Sequence, residues 1–473
     1  MGFGLTILYI IVTIISPEQF GPEWATYHAL SYLAGITFLF SLASIYSSSR
    51  TQLRSSIQTF LMLGFILSIG ISKAANGWTG GAIASWQVFL PSAAVYFFIV
   101  ANVTTIRRLK FMTLAAVGSC LVVVVEAFCG YYGGFHGDAF VLQQNLSSQG
   151  ETVLQFARLR GAGFLSDPND FAQMLLIALP LIFIAWQKQR NTVNMLMVIV
   201  PAAVLLWAIY LTHSRGALIG LALLAILAAQ KSMGTTKSVA LACLLLVGLV
   251  ALDFTGGRGI SAGDGTDRLE AWANGLEMFK RAPLFGIGFG AFTDFNDITA
   301  HNSFVLCLAE LGLVGATLWV ALLVTTLTSL NRVIGSQRRW EMKPPPVENV
   351  ADVRESMVWN ATPRTCESPA GTERAALIPE NAKVEREPAH HSNVPTQYFL
   401  AMRLALVGFI ATSWFLSRSY TTPMYLILGL ATAMIALERP TAKSCIRSRW
   451  FFFTLAVEAA AFLCVYGMIR LRN

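Results

Sequence analysis

Charge is what this chain has least of. Asp, Glu, Lys and Arg make up 13% of its 473 residues, about half the share that a soluble domain carries. An ordinary soluble fold is therefore disfavoured from the outset. Paired cysteines are missing too. The seven cysteines (Cys120, Cys129, Cys243, Cys307, Cys366, Cys445 and Cys464) form no CxxC pair. Most lie in apolar runs, where Cys behaves as a small hydrophobe, which speaks against a zinc centre or a disulfide framework. No GxSxG or HExxH motif occurs, and Ser16–His28 holds no Asp-x-Asp or Glu-x-Asp pair for a divalent ion. A site in this chain is expected to use neither metal nor cofactor. The apolar residues 1–15 have no Lys or Arg before them and no small-x-small site after them. They read as a retained first span, not a removable signal.

What the chain has in quantity is apolar sequence, 55% of its residues. Apolar runs fall near 3–15, 29–46, 58–74, 85–102, 111–129, 169–186, 193–211, 216–230, 238–253, 303–330, 399–416, 423–437 and 450–469. They are continuous and not alternating, so they predict helices, since lipid admits helices or closed barrels only. A span needs about 20 residues, which leaves the first and twelfth runs short. The expected fold is an all-α polytopic bundle of 12 to 14 spans, with 13 preferred.

The formal net charge of +8 sits in scattered short loops and not in one basic segment, a pattern of topology and not of nucleic-acid binding. Arg50 and Arg54, then Arg107, Arg108 and Lys110, then Lys188 and Arg190, Lys231 and Lys237, and Arg439 to Arg449 occupy alternate connections. Placing these inside puts 16–28, 75–84, 130–168, 212–215, 254–302 and 417–422 outside. A thirteenth span disagrees in one detail, because it sends Arg470 and Arg472 outward. Residues 331–398 differ in kind: eight prolines, mixed charge and little apolar periodicity predict a disordered cytoplasmic insertion. The expected division is a bundle over 1–330 with outward loops 130–168 and 254–302, the insertion, and C-terminal spans over 399–473.

The suggestive polar residues collect on the outward side. Arg215 opens a span directly after Ser214. It is either an interfacial anchor that snorkels or a ligand for a diphosphate, whose oxygens match the guanidinium fork. Arg268 flanks a short amphipathic helix in which Leu269, Trp272, Leu276 and Phe279 recur at helical spacing. That helix lies on the membrane surface or caps the bundle. Arg268 itself faces a headgroup or pairs with Glu270 or Asp264. His301 immediately precedes a long span, with Asn302 beside it. Either it is a polar cap, or it removes a proton from an incoming hydroxyl, a task that suits its pKa. Glu310, about two turns further on, is assigned to structure. Asp167-Pro168-Asn169-Asp170 makes a helix start, the acids serving as caps; Arg158 and Arg160 add positive charge to the same face. Gly286, Gly288 and Gly290 follow no strand, so they do not form a nucleotide loop.

Taken in order, Gly163-Phe164-x-x-Asp167-Pro168-Asn169-Asp170-Phe171-Ala172, Ser214-Arg215-Gly216, Arg268-Leu269-x-x-Trp272, Pro283-Leu284-Phe285-Gly286-Ile287-Gly288 and His301-Asn302-Ser303-Phe304 with Glu310-Leu311-Gly312 resemble the bacterial O-antigen ligase and O-antigen polymerase family. The specific part of the likeness covers 158–315. The resemblance implies a GT-C-type membrane glycosyltransferase of the inner membrane, with its site facing the periplasm. Its donor would be an undecaprenyl-diphosphate-linked glycan and its acceptor a hydroxyl, on lipid A-core in a ligase or on another lipid-linked repeat in a polymerase. It implies Arg215 and Arg268 as diphosphate contacts and His301 as the acceptor's activator. Arg158, Arg160, Asn302 and His213 join them as donor or substrate contacts. Inversion at C1 and membership of a polysaccharide-assembly complex are further expectations. A transporter, with paired charges at mid-membrane, and a non-catalytic scaffold are the rival classes.

Overall fold

The computed structural model describes residues 1–17, 29–47, 56–148, 151–251, 262–341, 394–438 and 449–472. Each apolar run of the sequence is helical over most of its described residues. In order these are α1 (Gly2–Ile15), α2 (Ala29–Ser47), α3 (Ile57–Ala75), α4 (Thr79–Asn102), α5 (Ile106–Gly133), α6 (Pro168–Leu181) and α7 (Asn191–Leu211, with a π turn at Met195–Ile199). Then come α8 (Arg215–Met233), α9 (Thr235–Ala251), the amphipathic α10 (Ala262–Arg281), α11 (Ser303–Glu341), α12 (Thr396–Ser413), α13 (Thr422–Glu438) and α14 (Arg449–Arg472). Among the described residues, seven helices are long and apolar enough to cross a membrane, with shorter apolar helices beside them. The protein is an all-α polytopic membrane protein.

Two expected features have different bounds. Residues 331–341 do not belong to a linker but continue α11, and α12 begins at Thr396. The rest of the 331–398 insertion, at 342–393, lies outside the described residues, as do 18–28, 149–150 and 254–261 of the loops expected to face outward. The loop 130–168 holds an element that no apolar run announced, the antiparallel pair β1 (Val141–Ser148) and β2 (Glu151–Leu159), with Leu142 opposite Arg158.

The helix starts follow local chemistry. Asp167 caps α6 by accepting from Asn169 N at 2.7 Å, with proline at the first helical position. Ser214 caps α8. Buried polar side chains then tie spans together. Asn102 of α4 donates to Thr6 Oγ1 of α1 and Ser41 Oγ of α2, and Gln173 of α6 donates to Thr412 Oγ1 of α12. Helix α11 is the central post. It packs against α3, α10, α12, α13 and α14, with 78% of its membrane-length window buried, against 17% for α14 at the rim.

The post is broken on purpose. Gly312 has φ +63°, outside the helical region, so the carbonyls before it and the N–H groups after it lose their helical partners. The glycine-rich connection after α10 supplies replacements. Ile287 N donates to Ala309 O at 2.9 Å and Gly288 N to Glu310 O at 3.1 Å, while Leu313 N donates to Pro283 O at 2.8 Å and Val314 N to Leu284 O at 3.2 Å. A Cβ at Gly286 would lie 2.2 Å from the backbone carbon of Glu310, so only glycine permits this approach. Glu310 secures the far side of the same segment by accepting from Phe292 N at 3.1 Å. The glycines and Glu310 thus have a structural account.

Candidate active site

A cavity of about 470 Å³ opens where β2, α8, α10 and the start of α11 converge. Arg158, Arg215, Arg268 and His301 all line it, together with Asp267, Asn169, Gln144 and Ser214. Ile219, Ile298, Phe415 and Leu416 supply apolar wall. Three guanidiniums against the single carboxylate of Asp267 leave the lining strongly cationic. A partly apolar wall lowers the local dielectric and strengthens each of these charges. Such a lining can hold an anion that carries an apolar neighbour.

Each cationic residue is placed by its own element. Arg158 leaves β2 nearly buried. Its Nε donates to Thr212 O at 2.9 Å and its Nη2 to Asn169 Oδ1 at 3.1 Å, with Gln144 Oε1 at 3.4 Å from Nη1. It therefore braces the hairpin, the start of α6 and the end of α7 as well as facing the cavity. Arg215 is the first residue of α8, where Ser214 fixes the chain direction by accepting from Ala217 N at 3.4 Å. Arg268 and Asp267 sit in the early turns of α10.

Helix α10 holds the next part of the site in place. Its Trp272 and Leu276 are buried, and it packs against α11 and α14, so the amphipathic stretch caps the bundle. Trp272 Nε1 donates to Ala300 O at 2.8 Å, and its ring meets Trp414 edge-on at 6.2 Å. Two residues on, Asn302 Oδ1 accepts from Phe304 N at 2.9 Å and Val305 N at 3.1 Å. His301 lies between these anchors with φ +45°, a left-handed conformation that a non-glycine residue adopts only when its surroundings enforce it. Burial holds its imidazole pKa below the usual 6.5, and the charges of Arg268 and Arg418 push the same way, while Asp167 opposes them. The ring is therefore a neutral base at neutral pH, able to accept a proton.

Other expected contacts lie elsewhere. Arg160 donates to Asp138 O at 2.5 Å and Ser166 O at 3.5 Å, away from the cavity lining. His213 packs edge-on to Phe156 and near Tyr210, each at 5.8 Å, and does not line the cavity. Asn302 is fully buried, and its Oδ1 caps α11.

Sequence reasoning missed three features. Gln144 belongs to an unannounced strand. Asp267 was overlooked beside its arginine. Asp170 is more than a cap: it forms a two-pronged ion pair with Arg418 of the α12–α13 loop. The signal for Arg418 was available, because it is a cation in a loop already placed outward. Among the described residues no three His, Cys, Asp or Glu side chains converge as a metal site.

Residues 200–320 match the family model for O-antigen ligase. The match includes Arg215, Arg268 and His301, and leaves out Arg158, Asp170 and Arg418. No curated protein matches the chain.

Proposed function

We propose, from the O-antigen ligase/polymerase family assignment that the match over 200–320 supports, that this protein transfers an undecaprenyl-diphosphate-linked glycan to an acceptor hydroxyl on the periplasmic face of the bacterial inner membrane, as a ligase acting on lipid A-core or a related acceptor. One observation carries the reading. Arg215, Arg268 and His301, far apart in the chain, meet at a single cationic cavity.

In this mechanism the diphosphate lies against Arg215 and Arg268. The acceptor oxygen attacks C1 of the donor sugar as the C1–O bond to phosphate breaks, and the electron pair leaves with undecaprenyl diphosphate. The two guanidiniums stabilise the charge that grows on the leaving oxygen, an interaction worth about 2–4 kcal/mol per donor in a water-poor site. His301 takes the acceptor's proton, a contribution of about 10²–10⁴-fold. A single displacement inverts C1 and calls on the protein's own side chains alone. Arg158 is placed to steady the donor from the hairpin side.

The test is complementation of a deletion strain. Glycan chains accumulating on undecaprenyl diphosphate mark a ligase, whereas single repeats attached to lipid A-core mark a polymerase. Arg215→Ala and His301→Ala are expected to abolish transfer at normal protein abundance. Full transfer by both would sink the assignment.

A further inference from the structure

Beside the cavity stands an ion pair that the proposed mechanism does not use. Asp170, buried on α6, takes both prongs of Arg418 from the α12–α13 loop. The same loop is stitched to the first residue of α11. Arg418 N donates to Ser303 Oγ at 2.8 Å, Ser303 Oγ donates to Leu416 O at 2.5 Å, and Ser419 Oγ donates to Ser303 O at 2.9 Å. Tyr425 of α13 then holds Ser419 O at 2.6 Å. Ser303 is two residues from His301.

We propose that the Asp170–Arg418 pair is a positioning device for His301: it anchors the loop that fixes the start of α11, and it holds a permanent cation two residues beyond Leu416 of the cavity wall. The inference rests on the transfer reading above for its purpose, though not for its geometry. A carboxylate as buried as Asp170 is tolerated because a guanidinium neutralises it, and a fork held at two points cannot swing away as a singly held lysine can. Removing Arg418 therefore leaves a buried carboxyl without its partner and a loosened loop.

The charge has its own effect. The groups acting on His301 are Arg268 from α10, Asp167 from the α6 cap and Arg418 from the loop. Asp267, Arg215 and Arg158 line the same cavity, and Asp170 stands behind Arg418. Two of the three groups acting on His301 are cations, and both favour the neutral imidazole, the form that accepts a proton. Arg418 thus helps keep His301 ready without touching the reacting atoms.

The experiment is a titration of histidine-labelled protein in lipid nanodiscs by NMR, with His301→Gln identifying the resonance, alongside the pH profile of transfer. Arg418→Gln is expected to raise the His301 midpoint by a few tenths of a pH unit to about one unit. The acid limb of kcat/KM should move up with it, and the plateau should fall by up to about 10²-fold from misplacement. Arg418→Lys should hold the midpoint near wild type. Asp170→Asn, which unclamps Arg418 but leaves its charge in the loop, should lower the plateau of kcat/KM without raising the midpoint, and this variant serves if Arg418→Gln does not fold. An unmoved midpoint in folded Arg418→Gln, equal displacement in Arg418→Gln and Arg418→Lys, or an unaltered plateau in Asp170→Asn would overturn the proposal. Because the titration requires no transfer, an active His301→Ala protein counts against the transfer reading, whereas an unmoved midpoint in Arg418→Gln counts against the pair.

Discussion

Replacing Arg158 with lysine separates its charge from its shape. The guanidinium donates to Thr212 O at 2.9 Å and Asn169 Oδ1 at 3.1 Å from two different nitrogens. A lysine ammonium donates from one point, so it reaches one of these acceptors and leaves the other without a donor. Thr212 is fully buried, and an unsatisfied acceptor in such a place costs about 1–3 kcal/mol. Arg158→Met leaves Thr212 O unmet in every case, at about 1–3 kcal/mol, whereas the half-exposed Asn169 Oδ1 can turn to water. The lost bond matters to the site because Thr212 lies two residues before Ser214, the cap that aims Arg215. A displacement of about 1 Å there can lower the rate by about 10²-fold. The assay pairs thermal inactivation half-lives, which remain meaningful when unfolding is irreversible, with kcat/KM for transfer. Arg158→Lys should be both shorter-lived and slower, and Arg158→Met more so. An Arg158→Lys protein as long-lived and as fast as wild type would refute the brace. One that is slow but fully long-lived would move the residue's role to the donor.

Two further outcomes follow from the same geometry. His301 works as a base only when neutral, and its pKa lies below 6.5 because of burial first and of Arg268 second. Transfer should therefore fall as pH drops through a midpoint below 6.5, with more than half the plateau rate kept at pH 6.5. The profile of kcat/KM, which reports the free enzyme, checks this, and a midpoint at or above 6.5 would contradict it. Gly312→Ala adds a Cβ 2.5 Å from the backbone of Leu284 at φ +63°. The left-handed conformation costs about 1–2 kcal/mol and the overlap about 1–3 kcal/mol more. Abundance and half-life should drop, while Gly335→Ala, with open space at its Cβ, should leave both unchanged or slightly improved.

The helices were legible in the sequence for a definite reason. In lipid every backbone group must be satisfied within its own segment, so a continuous apolar run has few alternatives to a helix. The stripe Leu269, Trp272, Leu276, Phe279 announced α10 in the same way, through its period. Candidate site residues were legible where polar residues interrupt that pattern, as at Arg215, Arg268 and His301. The hairpin at 141–159 was not, because a short strand pair in a polar loop carries little hydropathy signal.

By itself, then, the sequence determined the class of fold, the order of its helices and which loops hold the unusual cations, since each depends on residues close together in the chain. Only the tertiary structure decided which of those loops meet. Arg158, Arg215, Arg268 and His301 reach one cavity, while Arg160 and His213 turn elsewhere. It also decided that Asp170 meets Arg418, and that the glycines at 286 and 312 mend a helix break. Pairings of this kind span long stretches of chain. They are set by how the helices pack around α11, and no local period in the sequence encodes that packing.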